Sequence, residues 1–184
     1  STHTAFPAPA VTDLGGCVRP ILDHWQTIGA KFDGILTGYL GNEAQAQLAL
    51  ELIDRFGGGL LIQDPAMADH GRLYSGISAE MVEAHRRICE RADLVIPNLT
   101  EGAMLAGIPY QDRTDAEFCQ QVATALLKTG AKAVLLTGFA PDEGHVGFYY
   151  ADGTTEFDEL EDPLPFDINA PVIMINDEDY ALWY

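Results

Sequence analysis

At 184 residues with a hydrophobic fraction of 47%, the chain is long enough to bury a substantial core within one domain. Its formal charge of −18, from 28 acidic against 10 basic residues, argues against nucleic acid as a partner, because binding phosphates needs clustered Lys and Arg. No apolar run approaches the roughly 20 residues that a membrane span requires.

Residues 11–28 carry helical periodicity, with Leu14, Val18, Ile21, Leu22, Trp25 and Ile28 on one stripe and Gly29 closing the helix. Phe32 to Thr37 reads as a buried strand that ends at Gly38-Tyr39. A helix follows from an Asn42 N-cap to Phe56, stopped by Gly57-Gly58-Gly59. Then come a strand over 59–63, a helix from Ser78 to about Arg91, and a short strand over 93–96. A short helix starts near Leu99 and stops before Gly107-Ile108-Pro109. Thr114 to Lys128 is the next helix, capped by Thr114 with Glu117 three positions on. Lys132 to Thr137 forms a further buried strand, and His145 to Tyr150 pairs with it antiparallel. Such alternation predicts a single α/β domain built on a mostly parallel sheet with helices on both faces. After Asp152 the pattern decays into an acidic, Pro-rich stretch and a short apolar run at 171–175, and nothing definite is predicted for 163–184.

Cys17, Cys89 and Cys119 are odd in number and widely spaced, so they form neither a disulfide ladder nor a zinc motif. All three fall in helical patterns and read as core thiols of a protein in the reducing cytoplasm. His24, His85 and His145 have no partners at metal or triad spacing, and His70 reads as a solvent-facing loop residue.

Two strand ends carry the chemistry. The run Gly59-Leu60-Leu61-Ile62 stops at Gln63-Asp64-Pro65, with Asp69, Gly71 and Tyr74 in the turn beyond. About thirty residues on, Leu94-Val95-Ile96 runs into Pro97-Asn98-Leu99-Thr100-Glu101. Carboxylates at the carboxyl edge of a parallel sheet stand where ligands bind such folds. Asp64, Asp69 and Glu101 together suggest a site for a metal-bound polyphosphate, since Mg²⁺ needs few carboxylates when phosphate oxygens and water complete its shell. An acidic chain can hold ATP in that way, with Mg²⁺ and backbone N–H groups neutralising the phosphates. Blander readings stand beside these: Asp64 capping a turn ahead of Pro65, and Glu101 as a first-turn helix acid.

Four segments, Ser1-Thr2-His3-Thr4, Leu36 to Gly41, Asp64 to Tyr74 and Pro97 to Glu101, occur in an order and spacing that resemble the pyridoxal kinases, the vitamin B6 branch of the ribokinase-like fold. The resemblance runs from Ser1 to about Asp162. It implies ATP-dependent phosphorylation of the 5′-hydroxymethyl of pyridoxal, pyridoxine or pyridoxamine. It places His3, Thr4 and Tyr39 beside the vitamer ring, where an aromatic face stacks on the pyridine and polar groups meet its edge. Tyr39 packing its own loop and His3 capping a strand are the alternatives. The resemblance further assigns Asp64 and Glu101 to Mg²⁺, and Asp69, Tyr74, Asn98, Thr137 and Gly138 to the nucleotide. Gly138 could instead serve a positive φ after the strand. Family members are usually homodimers.

The chain departs from that family in two places. It lacks the strand and glycine turn that precede Ser-x-His-Thr, and nowhere does it contain Gly-Thr-Gly-Asp, whose aspartate is the family's general base. Phe166-Asp167-Ile168-Asn169 stands near the expected position without the glycines, so Asp167 is not assigned that role and no catalytic residue is named. The abrupt start predicts a kinase domain truncated at both ends. Two other readings remain: a hydroxymethylpyrimidine-type kinase, and a non-catalytic relative that binds nucleotide or vitamer without the base.

Overall fold

A computed structural model describes Ala8, Ala10 and residues 12–113, 115–139, 145–152 and 175–176. In chain order the elements are α1 (Gly15–Thr27), β1 (Gly34–Thr37), α2 (Glu43–Phe56), β2 (Leu60–Gln63), β3 (Ala68–Asp69), β4 (Arg72–Leu73) and α3 (Glu80–Cys89). They continue with β5 (Leu94–Val95), α4 (Leu99–Ala106), α5 (Ala116–Thr129), β6 (Ala133–Phe139), β7 (His145–Asp152) and β8 (Ile175–Asn176).

Six strands form one sheet in the order β1-β2-β5-β6-β7-β8. β1, β2, β5 and β6 run parallel, with Thr37 opposite Gln63 and Gln63 opposite Val95. β7 returns antiparallel along β6, as the sequence predicts, and β8 pairs antiparallel with β7 where no strand is expected. A strand order that always steps the same way, joined by right-handed crossovers, puts successive helices on the same face. α2 packs on α3, α3 on α4 and α4 on α5 accordingly.

Burial follows this arrangement with a period of two. Ile35, Thr37, Leu61, Gln63, Val95, Val134, Leu136, Tyr149 and Ala151 are buried under the helices. On the opposite face Leu36 and Leu60 are exposed, and Ile62, Leu94 and Leu135 are half-buried. Among the described residues, the expected helical cover is therefore present on one face.

Local chemistry explains the helix ends. The Asn42 side chain accepts from the Gln45 N–H, as an N-cap should, and Gly107 ends α4 at φ 70° in the left-handed region. Three expectations need correction. α5 is capped by Asp115, whose carboxylate accepts from the Phe118 N–H, while the expected Thr114 lies outside the described residues. α1 begins at Gly15, contains Pro20 and buries Leu22, whereas Leu14, Ile21 and Ile28 of its apolar stripe are exposed. Cys17 is exposed as well, so core burial holds only for Cys89 and Cys119. Burial pushes both of those thiols up to about 12. An apolar cavity of about 320 Å³, lined by Leu14, Val18, Leu36, Leu40, Leu48 and Leu52 among others, is left between α1, β1 and α2.

Candidate nucleotide and substrate site at the carboxyl edge

The carboxyl ends of the four parallel strands bring the sequence-predicted residues into one row. Thr37 closes β1 and leads into Gly38-Tyr39, and its carbonyl accepts the Asp64 N–H at 2.8 Å. Asp64 follows β2 directly, and Ile96 beyond β5 is tied back to the Gln63 carbonyl at 2.8 Å. Asn98 forms an isolated parallel bridge with Thr137, whose N–H donates to the Pro97 carbonyl at 2.9 Å. Gly138 sits at φ 77° where the β6–β7 register shifts, a left-handed conformation that glycine takes without a Cβ penalty.

Between these ends, β3 and β4 form a small hairpin over the sheet edge. His70 and Gly71 take φ 47° and 73°, the pair of positive values that a two-residue primed turn requires. His70 is exposed, as predicted, with its Nε2 3.6 Å from Asp69. Ala66 also holds a positive φ of 40°, a strained conformation for a residue with a Cβ and one retained only where surroundings over-determine it. Glu101 supplies that constraint. One of its oxygens accepts from the Met67 and Ala68 N–H groups at 2.8 and 3.2 Å, and the other from the Asn98 N–H at 2.9 Å.

Asn98 completes the join. Its side-chain oxygen accepts from the Glu101 N–H at 2.9 Å, making a reciprocal capping box at the start of α4, and its amide donates to the Ala68 carbonyl at 2.7 Å. Thr100 accepts from the Gly71 N–H at 3.0 Å. The N-terminus of α4 thus clamps the whole loop between β2 and β4.

The electrostatics follow from this packing. Burial raises the pKa of Glu101, opposed by its N–H donors and reinforced by the nearby Asp64 charge. Burial also raises the Tyr74 phenol, and the charges of Glu101, Asp69 and Asp64 add to that shift. Tyr74 therefore lies within the field of all three carboxylates. Asp64 is exposed, and among the described residues its carboxylate has no hydrogen-bond or ion-pair partner. Asp69 is exposed and accepts the His70 N–H at 2.8 Å.

No three His, Cys, Asp or Glu side chains among the described residues form a closed metal cage. The donor set suits a hard cation that brings its own water and phosphate oxygens: Asp64 offers a bare carboxylate, while Glu101 offers charge behind oxygens already engaged. Tyr39 is 60% exposed at the β1 end of the row, its ring near Gly41. His3 and Thr4 lie outside the described residues.

Sequence reasoning missed one polar element beside this row. Thr37 and Gln63 are buried, and the Thr37 hydroxyl donates to the Gln63 side-chain oxygen. The Gln63 amide meets Nδ1 of the fully buried His85 at 2.9 Å. A polar residue at the inward position of β2, one step before Asp64, was the available signal.

A family model described as phosphomethylpyrimidine kinase matches residues 24–163. The chain belongs to this family. Solved structures that the chain resembles include that of the pyridoxal kinase from Lactobacillus plantarum, which superposes with a TM-score of 0.73 at 31% identity. That match covers 84% of this chain and 55% of the other. The pyridoxal kinase of Leishmania donovani in complex with ADP and pyridoxamine gives a TM-score of 0.67 at 25% identity, covering 83% and 54%. The hydroxymethylpyrimidine/phosphomethylpyrimidine kinase of Bacillus subtilis strain 168 is 25% identical over 123 residues, 66% of this chain and 44% of that protein. The chain spans about half the length of these relatives. Their agreement bears out the ribokinase-like, mostly parallel fold and its pyridoxal kinase likeness.

Proposed function

We propose that this domain belongs to an ATP-dependent kinase that phosphorylates the 5′-hydroxymethyl of a B6 vitamer. One observation carries the reading: Asp64, Asp69, Tyr74, Asn98, Glu101 and Thr137 converge along one sheet edge, with the loop between them clamped by α4. Asp64 would hold Mg²⁺ directly or through water, with Glu101 adding charge from behind, and the ion would neutralise charge on the transferring phosphoryl group. Asn98 and Thr137-Gly138 border the phosphates, and Tyr74 the nucleotide. Tyr39, with His3 and Thr4, would cover the vitamer ring and set its hydroxymethyl in line. The general base is not assigned.

The ADP and pyridoxamine held by the Leishmania kinase support this choice of ligands. The family model and the Bacillus relative favour a second reading, a hydroxymethylpyrimidine acceptor on the same site. Calorimetric titration of the chain with pyridoxal, hydroxymethylpyrimidine and MgADP, alongside a coupled ADP-release assay, separates the readings. Pyridoxal binding stronger than pyrimidine binding, with MgADP affinity lost in Asp64→Asn, is expected. The reverse acceptor order would establish the pyrimidine reading. Binding without ADP release would mark a ligand-holding domain, and no binding of any of the three would end the proposal.

A further inference from the structure

The buried chain Thr37–Gln63–His85 joins β1, β2 and α3 through side chains in a layer that is otherwise apolar. Among the described residues β1 is an edge strand of four residues, hydrogen-bonded on one side only. Its last residue, Thr37, does two things at once. Its carbonyl receives the Asp64 N–H at 2.8 Å, and it leads directly into the turn that carries Tyr39. Its hydroxyl also has a competing acceptor, the Ile62 carbonyl at 3.4 Å. The Gln63 side chain resolves that choice by accepting the hydroxyl, and Gln63 is itself oriented by donating to His85 Nδ1.

Stability alone does not account for this chain. Among the described residues His85 Nε2 has no hydrogen-bond partner although the residue is fully buried, and an apolar trio of similar volume would avoid that orphaned group. Burial holds the imidazole neutral, with its pKa pushed down to about 4, so Nδ1 stays an acceptor for the amide.

We propose that Gln63, held in place by His85, is a positioning residue that fixes Thr37 and so sets the spacing between the Tyr39 turn and Asp64. The inference rests on the functional reading above, in which those two residues serve the vitamer and the metal-bound phosphates. Gln63 touches neither ligand; it acts through Thr37.

The test uses the full chain and the double variant Gln63→Met/His85→Leu, which removes the chain without leaving an orphaned partner and keeps the volume close. Three readouts are needed: the urea midpoint, amide hydrogen exchange at Asp64, Glu101 and Met67, and calorimetric affinity for pyridoxal and for MgADP. The expected result is a retained midpoint, faster exchange at Asp64 but not at Glu101 or Met67, and pyridoxal affinity about tenfold weaker, the size of effect a small misplacement produces. Single Gln63→Met should lower the midpoint, because it strands His85, and the second substitution should recover it. Unchanged exchange at Asp64, or exchange raised uniformly with a lower midpoint, would overturn the inference and leave Gln63 a core residue. A wild-type chain that binds neither ligand would defeat the functional reading, and the exchange pattern would still decide whether Gln63 positions Asp64.

Discussion

The α3–α4 end and the α1 end of this domain have similar apolar content in sequence and opposite fates in the fold. At the α4 end reciprocal hydrogen bonds tie the helix start to its neighbours. Asn98 and Glu101 cap the helix start, Arg86 of α3 donates to the Leu105 and Met104 carbonyls at 2.9 and 3.2 Å, and Gly107 turns the chain away. At the α1 end, the helix has no side-chain hydrogen bond at its N-cap among the described residues, Ile21 and Ile28 face outward, and exposed Leu14 borders an apolar cavity. The contrast teaches that an apolar stripe predicts a helix but not the surface that covers it, whereas reciprocal polar caps bring their own partners. The nucleotide half of the proposed site sits at the α4 end.

Four measurements press on that contrast, the most consequential first. Glu101→Ala strands three backbone N–H groups, one at the helix start and two in the strained loop, and should cost about 4 kcal/mol in urea denaturation. Glu101→Gln keeps one acceptor oxygen and should cost less than half of that. A loss under 1 kcal/mol for the alanine variant would mean that the clamp does not hold the loop.

The second measurement is pH. Burial depresses the His85 pKa from 6.5 to about 4, so the folded state resists a proton that the unfolded chain accepts. Stability from the neutral ring is complete above pH 6.5 and declines as pH falls toward 4, by up to about 3 kcal/mol. His85→Leu should flatten the stability profile between pH 6.5 and 4.5. The Asp93 and Glu43 carboxylates, both held below their ordinary values by hydrogen bonds from Lys132 and Arg87, lose their contribution only below that window.

Third, α4 approaches α5 and β6 so closely at Gly102 that an added Cβ would meet Val122 at 2.8 Å and Leu136 at 3.0 Å. Gly102→Ala should cost about 2 kcal/mol through overpacking, despite alanine's better helix propensity. A stabilised variant would show that this contact gives way. The smallest effect belongs to the other end. Leu14→Ser, at a side chain 65% exposed, should change stability by no more than about 0.5 kcal/mol. A loss several times larger would reveal a covering surface over α1.

Much of the frame was readable from the chain. Alternating strands and helices, the Asn42 cap, the Gly57 and Gly107 stops and the two carboxylate-bearing strand ends rest on local rules, in which a residue's own φ, ψ and hydrogen-bonding options decide the outcome. The misses are of another kind. The Thr114 cap yields to its neighbour because Asp115 accepts the Phe118 N–H, one residue beyond the predicted position. The β3–β4 hairpin is too short to show periodicity, and its strands depend on a turn with two positive φ values.

Sequence by itself determined the helices and the longer strands and that acidic residues gather at strand ends, because those properties depend on neighbours a few positions away. Tertiary structure alone decided three things: that Glu101 is buried beneath the Met67 and Ala68 N–H groups, that Thr37, Gln63 and His85 form one chain, and that Leu14, Ile21 and Ile28 of the α1 stripe stay in solvent. The physical reason is range. Glu101 lies 34 residues from Met67 and His85 lies 22 from Gln63, so only the packing of α3 and α4 on the sheet brings their polar atoms within hydrogen-bond distance.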